Sequence, residues 1–465
     1  MKPLTRGDVL WGYIAQVLNI GAGLILLPIL LRNLSPEDVG LWFVFISLAA
    51  LAQLLELGFL PTVARNTAYV YAGAQTLGQR GLPTRVESDA KLNVALLAGL
   101  IAASRRIYRI VTALAAVVLL GGGSYYVSTV LTPDQDSVAS LLAWAAYSSG
   151  YIASLYYGYF NGMMQGRGDV TQANKVVIIT RSSLVLFGGT AVVAGYGLIG
   201  LGVASMLSSI LGRWLARWYF FAPARVEMSG IGAVKAADTG ELIKILWFNA
   251  SRQGAVNLGA FLIQRGNILV ASSFLGLSHA ASYGMTVTIL MALSSVSAVI
   301  CQIQMPQMNH LQASGERQLL RAMYGEIVIL ACGAYIVGLV AVVIWGGALL
   351  ELIGSNTHLL PQAAVLVLGT ILLLELNHGI AASYLTTTNH VPFLWAALVS
   401  GVVTALLSIL LVQHWKIWGL ILAQGGVQLA YNNWKWPYEA ARHLGTKCTG
   451  ILVLGARRVI GNARH

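Results

Sequence analysis

The residues able to do chemistry in this chain are few, and they stand in apolar surroundings. Glu375 and His378 lie three apart inside the run Ile371–Ile380, with Asn377 between them. On a helix that spacing makes them neighbours on one face. Glu-x-x-His can bind metal, but a di-metal site needs a second such motif and further carboxylates, and no second copy accompanies this one. Two readings of the pair fit: a titrating pair that couples transport to protons or sodium ions, and a plain polar contact between helices. A second group is Gln253, Asn257, Gln264 and Asn267. At 100° per residue these four fall within an arc of about 80°, a stripe too polar for a lipid-facing surface. Arg252 and Arg265 flank the stripe on opposite sides, while Gly254, Gly259 and Gly266 can bend the helix that carries it. Arg265, the deeper arginine, is expected to line a lumen and contact an anion; pairing with Glu375 is the structural alternative. Arg32, Arg65 and Arg181 are secondary lumen candidates near helix ends, where snorkelling also places arginines. Glu56 is a lumen or helix-pairing carboxylate.

Twelve apolar spans must position these groups. They are expected over about Val9–Leu31, Val39–Thr62, Tyr108–Leu131, Val138–Gly162, Val176–Ala194, Leu198–Phe221, Ile245–Leu275, Ala280–Met305, Met323–Trp345, Pro361–Leu385, Val391–Val412 and Ile417–Trp434. Each is long enough for a hydrocarbon core of about 30 Å. A polar stretch after the second span contains Glu87–Ala103, expected as an amphipathic interfacial helix, and ends in Ser104-Arg105-Arg106. The expected organisation is an N-terminal lobe, residues 1–221, a cytoplasmic linker, 222–244, a C-terminal lobe, 245–436, and a basic cytoplasmic tail, 437–465. The N-terminal MKPLTRGD leads into a retained first span rather than a cleaved signal segment.

Composition agrees. Of 465 residues, 57% are hydrophobic and 10% charged, against about 25% charged in soluble domains. The net charge of +12 is an orientation signal rather than a nucleic-acid footprint. With both termini inside, the inner turns collect roughly 24 Lys and Arg and the outer turns about two, Arg32 and Lys416. Trp214 and Trp218, and Trp415 and Trp418, stand where interfacial belts are expected. Cys301, Cys332 and Cys448 have no metal or redox spacing.

A faint internal repeat links the halves. Leu10-Trp11 followed by Asn19-Ile20-Gly21-Ala22 is echoed by Leu246-Trp247 followed by Asn257-Leu258-Gly259-Ala260. Leu34-Ser35 with Gly40 is echoed by Leu277-Ser278 with Gly284. Six spans separate the copies, so the halves share one orientation, and two such bundles would meet at a central cleft.

The segment Leu27-Pro28-Ile29-Leu30-Leu31-Arg32-Asn33-Leu34-Ser35-Pro36-Glu37-Asp38-Val39-Gly40-Leu41-Trp42 resembles the opening of polysaccharide flippases, of the Wzx-type O-antigen flippase family in the multidrug/oligosaccharidyl-lipid/polysaccharide exporter (MOP) superfamily. Leu54-Leu55-Glu56-Leu57-Gly58-Phe59 resembles that family's acidic-Leu-Gly-Phe motif, with Glu56 where members often have Asp. The resemblance implies an all-α polytopic membrane protein with two six-helix lobes and a V-shaped central cavity. It implies movement of an undecaprenyl-diphosphate-linked oligosaccharide from the cytoplasmic to the periplasmic leaflet of a bacterial inner membrane. Membrane lipids, a polysaccharide polymerase and chain-length proteins are the expected partners; nucleic acid is not. No cofactor is expected beyond a coupling ion, H+ or Na+.

Other matches carry less. Gly195-Tyr196-Gly197-Leu198-Ile199-Gly200 fits GxGxxG but has no strand before it. Arg167-Gly168-Asp169 falls in an inner turn, and no P-loop occurs. The runner-up function is an ion-coupled drug or organic-cation antiporter of the same superfamily, which would want an acidic lumen where this chain carries mostly arginine. A non-transporting assembly component or a membrane glycosyltransferase would need a carboxylate-bearing surface domain, which the short outer turns do not provide.

Overall fold

In hydrocarbon a backbone must close its hydrogen bonds within its own segment, which leaves helices as the solution for apolar runs of this length. The computed structural model describes residues 6–78, 92–133, 135–222, 237–387 and 392–462, and among them it contains helices and no strand. The chain is a multi-pass membrane protein. Ten helical segments among the described residues are long and apolar enough to span. Leu, Val and Ile side chains such as Val117, Leu142, Leu186 and Leu406 stand exposed along them, as lipid-facing surfaces require.

The ten resolve into the expected twelve at two places. Helix α15, Leu394–Ala430, is interrupted at Lys416, where φ is 49° and ψ −128°. A Cβ at Gly419 would run into the backbone of Leu411, so the chain reverses there and α15 holds two spans. The other place is the pair α10, Thr239–Gln264, and α11, Gly266–Phe274, which break at Arg265.

By contacts the chain forms two units: Met1–Leu34 with Val44–Leu258, and Ser35–Phe43 with Gly259–His465. This division does not fall in residues 222–244, of which 223–236 lie outside the described residues. The physical reason lies in α10. Its Gly254 packs on Leu57, and Asn257 Nδ2 donates to the Leu57 carbonyl at 3.1 Å, which keeps its first turns with the first unit.

In the first unit α1 is Arg6–Asn33 and α2 is Pro36–Gln53. A 3-10 turn, Leu54–Glu56, ends α2, and α3 resumes at Phe59–Tyr71. Next comes α4, Val94–Ala116, opened by the Asn93 side chain accepting from Leu96 N. The expected interfacial helix 87–103 is not separate. Its described part belongs to α4, which runs through Ser104-Arg105-Arg106 without a break; residues 87–91 lie outside the described residues. The helix continues as a π-helical stretch, Val117–Gly123, into α5, Ser124–Val130. That wider winding frees the Leu119 carbonyl, which accepts from Trp144 Nε1 at 3.2 Å. Helices α6, Ser137–Tyr156, α7, Tyr159–Arg167, α8, Val170–Val193, and α9, Gly197–Phe221, complete the unit. Gly150 and Gly202 let the α6 and α9 backbones approach closely. The Arg167-Gly168-Asp169 segment acts as a staple. Arg167 pairs with Asp169 and donates to the carbonyls of Phe220 at 2.7 Å and Tyr219 at 3.3 Å. It thereby satisfies the C-terminal carbonyls of α9.

The second unit contains α12, Leu277–Ser314, α13, Arg317–Leu352, and α14, Gln362–Thr386, followed by α15. The expected tail is helical, as α16, Asn432–His443, and α17, Cys448–Asn462. It packs on the unit: Arg458 Nε lies 2.6 Å from Glu326 on α13, and Gly455 lies against Gly325. Each unit taken alone pairs its helices alike. Its third span packs on its fourth, α4 on α6 and α13 on α14; its first packs on the fifth in the first unit, α1 on α8, and on α15, which holds the fifth and sixth, in the second.

Lys416 occupies a backbone region that glycine enters without strain, at a cost to other residues of about 1–3 kcal/mol. Lys416→Gly should therefore raise the apparent melting temperature in detergent, whereas Lys416→Val should lower it.

Candidate functional site

The first unit's polar centre begins at the break in its second span. Leu57 has φ 54° and ψ −112°, so the helix stops and the carboxylate before it is no longer constrained to a regular helical face. Glu56 Oε1 accepts from Tyr108 Oη on α4 at 2.6 Å. Arg213 on α9 donates from Nε to Ser154 Oγ on α6 at 3.0 Å and lies within electrostatic reach of Glu56, Tyr108, Tyr151 and Arg181. Arg181 on α8 forks onto Asn19 Oδ1 of α1, at 3.1 Å from Nε and 2.9 Å from Nη2. Two guanidiniums thus share this region with one carboxylate, a net cationic interior. Unionised hydroxyl and amide partners satisfy part of each guanidinium without neutralising it.

The second unit has its own centre on α14. Gln424 Nε2 of α15 donates to Glu375 Oε1 at 2.8 Å. Tyr283 of α12 and Tyr335 of α13 lie within electrostatic reach of that carboxylate. His378 Nδ1 stands 2.8 Å from Asn433 Oδ1 of α16, with the ring nitrogen as donor. Glu375 and His378 therefore face different helices and each has a partner of its own. Among the described residues no group of three or more His, Cys, Asp or Glu is placed to hold a metal.

The polar stripe Gln253, Asn257, Gln264 and Asn267, on α10 and α11, is not one surface. Its geometry assumed an unbroken helix, and Arg265, at φ −120°, interrupts the 100° register before Asn267. Asn267 is 1% exposed and donates to Tyr283 Oη at 3.2 Å and the Leu420 carbonyl at 3.3 Å, which makes it an internal brace. Asn257 holds the Leu57 carbonyl, and Gln264 is exposed. Arg265 is half-buried at the break, its N–H bonded to the Phe261 carbonyl. The side chains of Arg252 and Gln253 lie outside the described residues. Arg32 is exposed in the last turn of α1, where a cation suits the helix dipole. Arg65 is exposed on α3.

Sequence reasoning missed Arg213, Tyr108, Asn19, Gln424 and Asn433. The signal for Arg213 was available: it interrupts an apolar run about two turns inside the end of its span, in register with Arg217. Tyr108 carried none, because a tyrosine at a span boundary reads as a belt residue.

No sequence-family model and no curated relative matches this chain. Solved structures do. An inward-facing multidrug resistance MATE family transporter of the MOP superfamily aligns with a TM-score of 0.66 at 13% identity, over 98% of this chain and 99% of that one. The lipid II flippase MurJ in an inward closed conformation aligns with a TM-score of 0.62 at 10% identity, over 97% and 90%. The MATE multidrug transporter DinF-BH in complex with R6G aligns with a TM-score of 0.58 at 12% identity, over 92% and 93%. The chain has the MOP fold over nearly its whole length.

Removing the Gln424 amide leaves the Glu375 carboxylate without its donor, a cost of about 1–3 kcal/mol. Gln424→Leu should accordingly lower the apparent melting temperature. Replacing both partners by leucine should recover part of the loss, which a thermal-shift series on the two single variants and the double variant would show.

Proposed function

We propose that this protein is a flippase that carries a polyprenyl-diphosphate-linked oligosaccharide across a bacterial inner membrane by alternating access, with undecaprenyl diphosphate as the lipid carrier and an O-antigen-like repeat unit as the glycan. The observation that carries this reading is the cationic interior of the first unit, where Arg181 and Arg213 face one carboxylate, Glu56. A charge at membrane depth costs about 2.5–3.5 kcal/mol on insertion scales. An excess of arginine there needs a compensating role, and transient binding of an anion supplies one. A diphosphate carries the charge, and its oxygens match the planar fork of a guanidinium. Arg265, at a helix break in the second unit, offers the same chemistry. The basic turns orient both termini to the cytoplasm. The polyprenyl tail remains in lipid while the headgroup passes.

The runner-up, an antiporter of drugs or organic cations, needs acidic groups facing its cargo. Glu375 favours a narrower version of it. This carboxylate has a glutamine donor and forms no ion pair among the described residues, so it suits a coupling proton or sodium ion, with His378 beside it on the same helix.

The protein reconstituted in proteoliposomes should move a fluorescent short-chain polyprenyl-diphosphate glycan between leaflets, read as accessibility to a membrane-impermeant quencher. Arg181→Ala and Arg265→Ala should each weaken binding of that glycan by about tenfold, the equivalent of 1.4 kcal/mol. Protein-dependent movement of an organic cation but of no polyprenyl diphosphate would reverse the assignment.

Transport driven by an imposed proton or sodium gradient should lose its dependence on that gradient in Glu375→Gln, while facilitated equilibration of the glycan persists. Unchanged gradient dependence in a Glu375→Gln, His378→Ala double variant would remove both residues from coupling.

A further inference from the structure

A groove on the first unit borders the polar centre described above and shares Arg213 with it. It lies between α6 and α9 and encloses about 620 Å³, with Tyr157, Ile210, Arg213, Trp214, Arg217 and Trp218 among its lining. The lining residues of α9 recur three and four apart, which places them along a single helix face. Along that face the groove changes character. Ile210 is exposed and apolar, and so is Leu207, three residues earlier on the same face and beyond the groove's lining. The aromatic rings of Trp214 and Trp218 follow, also exposed, and Arg217 stands exposed between them. Arg217 lies over the Tyr157 ring, 6.0 Å from its centroid. Arg213 closes the inner wall, with Nε on Ser154. The mouth is basic beyond the groove itself. Arg109 of α4 reaches Tyr156, and Arg105 and Arg217 both act on Tyr159. Among the described residues no carboxylate pairs with Arg217.

We infer that this groove binds an anionic phospholipid of the surrounding membrane, with its headgroup phosphate at Arg217, its glycerol region against Trp214 and Trp218, and an acyl chain along Ile210 and Leu207. Three observations select this occupant. Apolar side chains hold the half of the face toward Leu207 and Ile210, and tryptophans interleaved with arginines hold the half toward the end of α9, as at the boundary of a leaflet between hydrocarbon and headgroups. The charge is of one sign, and basic pockets between spans on the positively charged side take anionic headgroups. The volume lies within the range of about 300–1,000 Å³ that holds one ligand of moderate size, enough for a headgroup with its glycerol. A bound lipid here would bridge α6 and α9, the same helices that supply Ser154 and Arg213 to the polar centre.

The test uses the full chain in nanodiscs doped with a small fraction of brominated lipid, with tryptophan fluorescence as the readout. Brominated phosphatidylglycerol should quench more strongly than brominated phosphatidylcholine at equal mole fraction. The excess should disappear in the Trp214→Phe, Trp218→Phe double variant, which removes the local reporters. It should fall about fivefold in Arg217→Gln and recover in part in Arg217→Lys, which keeps the charge and reports on the fold. Equal quenching by the two lipids would overturn the inference, as would an excess that Arg217→Gln leaves unchanged. So would displacement of the brominated lipid by an equimolar polyprenyl diphosphate, which would assign the groove to lipid-linked cargo. None of these readouts involves transport, so their outcome is independent of the flippase reading.

Discussion

The hydrogen bond from Tyr108 to Glu56 ties together much of the first unit's polar interior. In an apolar bundle a carboxylate cannot turn to water, so its partner must come from another helix at hydrogen-bond distance. Tyr108 supplies it at 2.6 Å. The second span stops at that contact, where Leu57, the residue after Glu56, has positive φ. The break in turn exposes the Leu57 carbonyl, which Asn257 of α10 satisfies, while Gly254 accepts the Leu57 side chain against its backbone. A half-buried carboxylate, a helix end and the seat of a later helix thus meet at one point.

Charge balance around that contact separates the two units. The first presents Arg181 and Arg213 against Glu56; the second presents Glu375 against glutamine and tyrosine. If each centre did no more than brace helices, neutral pairs such as Asn267 with Tyr283 would serve at lower desolvation cost. The centre around Glu56 is net cationic and the one around Glu375 carries a carboxylate without an ion pair among the described residues, so each leaves a charge that bracing alone does not require.

Much of the fold was legible because its cause is local. Length and hydropathy set where spans fall, so ten of the twelve expected spans coincide with single helical segments or helix pairs, and the hairpin at Lys416 lies within the polar turn read between Val412 and Ile417. What failed was continuity. Arg105-Arg106 read as the end of an interfacial helix, yet both side chains project from one side of α4 while Ser104 and Ile107 stay buried, so charge did not interrupt it. Conversely, the stripe from Gln253 to Asn267 read as one face, and a break at Arg265 with no proline to announce it divided the stripe. Helical periodicity predicts a face only as far as the helix runs, and a glycine such as Gly266 permits a break without fixing that one occurs there.

The site was legible in kind rather than in membership. Glu56, Arg181, Glu375 and His378 could be found because charges in apolar runs are costly and therefore conspicuous. Their partners could not, because Tyr108, Asn19, Gln424 and Asn433 are residue types that a membrane helix carries at little cost and for many reasons. Arg213 lies between these cases. At about two turns from the span end it has a ready explanation as a snorkelling side chain, and only the placement of Ser154 and Glu56 on neighbouring helices shows that it turns inward while Arg217, four residues later, stays at the surface. The same helix face therefore divides its two arginines between the interior and the surrounding leaflet, and sequence spacing, which treats them as equivalent, cannot tell which serves which.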